Sequence, residues 1–170
     1  MSEHTYTPYI PEKAVWTQDD YELMGWHDAH VHGFAIQHQE ESWEHNLLID
    51  IDYIFKWEKP VPPDQYFTFW VAPCTLVFKN AFAIRGGMDT NGGGIGTLEI
   101  ADLVLVNKTE QEKNVFIYEW NIDFHFAADI KLKSYGFEQI VRQAPIHTVA
   151  QGLTNEERGG IGFGLIPYRV

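Results

Sequence analysis

The stretch Leu47-Leu48-Ile49-Asp50-Ile51-Asp52-Tyr53-Ile54-Phe55-Lys56-Trp57-Glu58 decides the class of fold. Its odd positions, Leu47, Ile49, Ile51, Tyr53, Phe55 and Trp57, are all apolar or aromatic, whereas its even positions include Asp50, Asp52, Lys56 and Glu58. Successive side chains of a strand point to opposite faces, so this alternation predicts a half-buried strand with its carboxylates turned away from the core.

The pattern recurs with reversed parity from Phe116 to Phe126. There Phe116, Tyr118, Trp120, Ile122, Phe124 and Phe126 share one face, and Glu119, Asn121, Asp123 and His125 the other. Residues Trp26 to Gln37 predict a third strand, with Ala29, Val31 and Ala35 opposite Asp28, His30 and His32. Gln65 to Phe78 and Leu98 to Val106 are apolar on both faces, as expected of strands covered on two sides. Pro73 lacks a ladder donor and predicts a bulge or an edge position. Phe82 to Arg85 and Ile130 to Arg142 read as weaker strands, the second broken near Gly136. Helix signals reduce to Thr17, which with Asp20 three residues on predicts the cap of a short helix ending before Gly25. Six to eight strands joined by Gly and Pro turns predict an all-β, or β-dominated α+β, domain: an antiparallel sandwich or a partly open barrel.

The chain is 170 residues long, the size of one domain. From Pro145 onward glycine and charge dominate, predicting a tail over residues 145–170 that packs over the domain or is partly disordered. A 45% hydrophobic composition excludes a disordered acidic chain. Twelve Lys and Arg, only four of them Arg, against 24 Asp and Glu give a net charge of −12. That excludes the positive field that nucleic acid or an anionic membrane requires. It suits instead a basic protein partner, whose approach it would steer. The lone Cys74 cannot close an internal disulfide, and the opening residues carry no leader pattern, so a cytoplasmic location is expected.

The sharpest chemical feature is His27-Asp28-Ala29-His30-Val31-His32. His30 and His32, two apart on a strand, project from one face about 7 Å apart at Cα, a chelating separation. If the neighbouring strands share that face, it gathers Asp28, His30, His32, Asp50, Asp52, Asp123 and His125. Such a face could hold a divalent ion such as Zn, with His30, His32 and Asp50 as first ligands. Its plainer reading is a solvated polar parity that needs no cofactor. Glycine loops at 92–96 and 159–164 lack the Lys and Ser or Thr of a phosphate-binding loop. Cys74 sits in an apolar strand with no activating base, and none of the three serines occupies a nucleophile elbow. The 25 aromatic residues exceed what a modest core requires, and any exposed remnant would mark a ligand cavity or a partner surface.

Several blocks carry a resemblance. Met24-Gly25-Trp26-His27-Asp28, His32-Gly33, Leu48 to Ile54, Trp70 to Phe78, Gly136 to Gln139 and Arg142 to Pro145 together look like a family of small bacterial β-rich proteins of unknown function. The His27-Asp28-Ala29 triplet also resembles small β-rich immunity proteins of toxin systems, which neutralise basic toxins by binding. That resemblance implies a binding protein rather than an enzyme. The alternatives are a metal-dependent hydrolase using the His/Asp face and a barrel that takes an apolar ligand. The His-Asp pattern is similar over five residues to the metal-binding strand of amidohydrolase barrels, but the helices of that fold are missing.

Overall fold

The computed structural model describes residues 6–126 and 128–170. Residue 127 lies outside them, as do residues 1–5, where the stretch read for a leader begins. The strands are β1 (Val15–Thr17), β2 (His30–His38), β3 (His45–Glu58), β4 (Thr68–Phe78), β5 (Phe82–Met88), β6 (Leu98–Glu112), β7 (Val115–Phe124), β8 (Ala128–Ser134), β9 (Phe137–Val141) and β10 (Ile146–Thr148). All ladders are antiparallel. They join in the order β1-β9-β4-β3-β2-β6-β7-β8-β5, with β10 beside β4. The chain is thus β-dominated, but its described residues build ten strands where six to eight are expected, and they form one continuous, unclosed sheet.

Bulges explain how one sheet makes its own core. Register shifts interrupt β6 between Ile100 and Asp102, Leu105 and Asn107, and Glu110 and Glu112, and β3 between Ile54 and Lys56. Each extra residue increases local twist and bends the strand. The sheet coils until β7 lies over β4 and β9: Trp120 is 5.5 Å from Phe137 and 6.1 Å from Phe78 between ring centroids. Leu47, Ile49, Ile51 and Tyr53 enter this core, as the odd parity of β3 requires.

Local chemistry sets the element ends. Thr17 caps a 3-10 helix, Gln18–Leu23, through a capping box completed by Asp20. Asn114, at φ 64°, makes the tight link between β6 and β7, a conformation asparagine tolerates. Gly136, at φ 114°, separates β8 from β9, and a Cβ there would strike the Gln18 side chain.

Pro73 is neither at an edge nor in a bulge. It faces Asp52 of β3 inside a central strand. On its other side β10 pairs Phe69 to Val71 and β9 begins at Cys74, so Pro73 falls at the junction of two partners. Its carbonyl accepts from the Arg142 amide at 3.0 Å, and the donor it lacks has no ladder acceptor to fill. Among the described residues no helix is long and apolar enough to cross a membrane.

Trp26 anchors the turn before β2 in the core, where its indole N–H donates to Gln139 Oε1 at 2.8 Å. Trp26→Phe keeps most of the packing but strands that buried amide oxygen, at a cost of about 1–3 kcal/mol. Urea unfolding of the two proteins measures it.

Candidate functional site

The outer face of β3 and β4 is not bare. Residues 145–164 cross it as a strap, and they rest on two apolar pads. At one end Leu153 and Ile146 pack on Ile54, Phe69 and Val71; at the other Phe163 packs on Leu48, Val77 and Ile140. Between the pads lies a polar seam. Asp50 and Asp52 are both 0% exposed, so the expectation that this parity faces solvent is corrected. The strap covers it and brings its own counter-charge.

That charge is Arg158, at the end of the one-turn helix α1 (Asn155–Arg158). Thr154 and Glu157 cap α1 reciprocally and Gly159 closes it in the left-handed region. Arg158 donates to Asp50 through Nη1 and Nη2 at 3.1 and 2.6 Å, and to Asp52 through Nε at 3.0 Å. Arg142, following β9, adds a 2.5 Å bond to Asp50 and donates to the Gly162 carbonyl. The Gly162 amide returns a bond to Asp50 at 2.9 Å, and the Leu153 amide and His32 Nε2 reach Asp52 Oδ2 at 2.9 and 2.8 Å. Two carboxylates and two guanidiniums therefore balance inside the protein. Burial alone would push the Asp52 carboxyl up, but bonds from His32 and Leu153 and the Arg158 charge outweigh it and hold it below its ordinary range.

This arrangement disperses the expected metal set. Asp50 has both oxygens committed to Arg142, Arg158 and Gly162, leaving none for an ion alongside His30 and His32. His32 is spent on Asp52. His30 faces Glu99 Oε1 at 3.3 Å, and its ring lies directly against Gly152 of the strap, where a Cβ would collide. Burial lowers the pKa of His30, against the pull of Glu99 and Asp52. Asp123 is exposed, opposite Asp102 and Asp129, and joins none of these groups.

Asp28 and His125 do meet. His125 Nε2 lies 2.7 Å from Asp28 Oδ1, Gln151 of the strap donates to Asp28 Oδ2 at 2.7 Å, and His27 Nε2 stands 3.5 Å from Asp28 Oδ1. Among the described residues, His27, Asp28 and His125 are the donors that converge, all within 4.8 Å of one another. His27 is missing from the strand-based set because the bend at Asp28, φ 63°, swings it out of the alternation. No family model, curated protein or solved structure matches this chain.

Cys74 is fully buried, and desolvation pushes its thiol far above the ordinary range, so it is no nucleophile. The aromatic remnant is real. Trp26 and Trp120 fill the core, but Trp43 at the β2–β3 tip is 98% exposed. Among the described residues, one side of β2 from Gly33 to His38 has no partner strand, because β6 pairs only His30 and Val31. At the far end of the sheet β5 pairs β8 alone. Between these two edges run adjoining hollows of about 300 and 530 Å³ that share Phe34, Met88 and Leu98.

Two stability predictions follow from the seam. Arg158→Ala leaves two buried carboxylates short of a counter-charge and costs about 3–5 kcal/mol in chemical denaturation. Asp52 has a folded pKa below its unfolded value of about 3.9. Its contribution is complete above that pH and is lost as pH falls through the folded pKa. Asp52→Asn therefore lowers stability at pH 7 and flattens its decline below about pH 4, which acid titration at fixed urea measures.

Proposed function

We infer that the protein works by binding rather than by catalysis, taking an extended, basic segment of a protein partner into the gap between β2 and β5. The observation that carries this reading is the pair of free strand edges on either side of an apolar groove. Unpaired edges expose rows of amide and carbonyl groups that template further pairing, and folded proteins normally blunt them with charge, proline or a cover. Here the edges carry Phe34 and Ile36 on β2 and Phe82, Ile84 and Met88 on β5, all exposed. A strand laid along either edge would gain main-chain bonds while its alternate side chains filled the groove.

Charge gives the segment its sign. The chain carries −12 overall, and Glu40, Glu41 and Glu44 surround the exposed Trp43 at the tip beside the groove. Lysines and arginines flanking the apolar stripe of a partner would meet these carboxylates, and Trp43 offers a stacking surface for them. Arg85 is the cation lining the groove itself, which favours an apolar centre with basic flanks. A binding protein of this kind agrees with the likeness of the His27-Asp28-Ala29 opening to toxin-neutralising immunity proteins. An apolar small molecule in the groove is the competing occupant.

Affinity capture from the native host, with cross-linking and mass spectrometry, tests the reading. A basic partner should be retained at low salt and released at high salt, should cross-link beside β5, and should protect the β2 and β5 amides from hydrogen exchange. Ile84→Lys, on the exposed edge, should reduce retention at least about tenfold, as the loss of a buried anchor does. Capture that is unchanged in Ile84→Lys, or native mass spectra showing a small apolar ligand in the groove, would overturn it.

A further inference from the structure

We propose that His27, Asp28 and His125, with Gln151 as a supporting partner, form a binding site for a divalent ion of the zinc class. The site is independent of the β2–β5 groove and of the His30, His32 and Asp50 set. Its members come from separate parts of the chain: the bend before β2, the end of β7 and the strap.

The supporting bonds are those a metal site needs. His27 Nδ1 lies 3.1 Å from the carbonyl oxygen of Ala101. A carbonyl only accepts, so Nδ1 carries the proton, and in the neutral ring Nε2 is left with a bare lone pair. That lone pair faces Asp28 Oδ1 at 3.5 Å, itself an acceptor. An ion between them would meet a lone pair from each side, and it would displace the proton that His125 Nε2 now shares with Asp28 Oδ1 at 2.7 Å. Anchoring of the remote imidazole nitrogen on a backbone carbonyl is also how metal-bound histidines are oriented.

Asp28 is prepared in the same way. Gln151 holds its Oδ2 at 2.7 Å, which leaves Oδ1 directed at both His27 and His125. The backbone at Asp28 is held at φ 63°, in the left-handed region, by its amide bond to the Ile100 carbonyl at 2.9 Å and by the Ala29 amide bond to Trp26. Aspartate tolerates that region better than most residues, and this conformation puts consecutive His27 and Asp28 side chains on one centre. Two imidazoles and one carboxylate suit Zn²⁺ and its neighbours, not Ca²⁺ or Mg²⁺. At bond lengths near 2.0–2.2 Å, three donors fit around one ion when their mutual distances are about 3–4 Å. Rotation of His27, whose side chain is 64% exposed, brings its nitrogen into that range, and the 2.7 Å contact of His125 with Asp28 widens to it as the ion takes the place of the shared proton.

Zinc titration by calorimetry on the full chain without an affinity tag, paired with visible absorption of the Co²⁺ form, tests the site. The expected result is one tight equivalent per chain, with Co²⁺ bands of a low-coordinate nitrogen and oxygen site. His27→Ala and His125→Ala should abolish it, and Asp28→Asn, which keeps a residue suited to the left-handed backbone, should do the same. Gln151→Ala should weaken it by roughly 10–100-fold. His38 and His45, whose rings stack edge to face at 4.4 Å, are the rival pair, and His38→Gln with His45→Gln should leave the titration unchanged. Circular dichroism confirms that each variant is folded before it is scored. Absence of tight binding, or binding that survives His27→Ala and His125→Ala or is lost with His38 and His45, overturns the proposal.

Discussion

The strap depends on one interaction, the grip of Arg158 on Asp50 and Asp52. Without it the outer face of β3 would hold two carboxylates two residues apart on one side of a strand, a repulsive pair that belongs in water. With it, and with Arg142 completing the balance, the same carboxylates become the fixed points to which residues 145–164 are tied. Ion pairs of this kind add little net stability over an apolar replacement, because desolvation consumes most of the attraction. What they supply is register. Leu153 and Phe163 could slide over an apolar sheet, but the fork of Arg158 and the amides of Leu153 and Gly162 match the Asp50–Asp52 spacing in one position only.

That position organises the chemistry of the face. Gly152 comes to rest against the His30 ring, and Gln151 reaches Asp28. The strap is therefore a structural cover that also sets the side chains around the His27–Asp28–His125 centre. At the opposite margin, where β2 and β5 do not pair, no such cover lies among the described residues, and the apolar edges stay open. One sheet thus presents two surfaces of different character, a tied and balanced one and an unfinished one.

Much of this was legible in the residues. The alternation in Leu47 to Glu58 and Phe116 to Phe126 located β3 and β7 and their inward sides, and the Thr17–Asp20 box located the 3-10 helix. The fate of Asp50 and Asp52 was not legible from β3 alone, because alternation separates two faces without saying what lies on the second. Two signals pointed to a cover: Leu48 and Ile54 flank the aspartates on the same parity, and Thr68 to Phe78, the neighbouring strand, is apolar on both sides. The placing of three of the four arginines, Arg142, Arg158 and Arg169, in or beside a glycine-rich tail was a third. Pro73 misled because the rule for proline in sheets considers one neighbour at a time, whereas β4 changes neighbours at that residue. His27 escaped because a strand pattern was extended through Asp28, where the backbone turns left-handed.

The separation of Asp50 from Arg158 along the chain, 108 residues, has a kinetic meaning. A contact so distant in sequence carries a large loop-closure cost unless the sheet has already brought its ends together, so the grip gains from the pairing of β3 with β4 and of β4 with β9. Until it closes, the assembling sheet carries a pair of like charges on a surface otherwise lined with Leu48, Ile54, Val71 and Val77. Those charges keep a half-finished molecule wetted at the place where another half-finished molecule would otherwise adhere. The aspartates that pin the strap in the native state thus serve as gatekeepers during its formation.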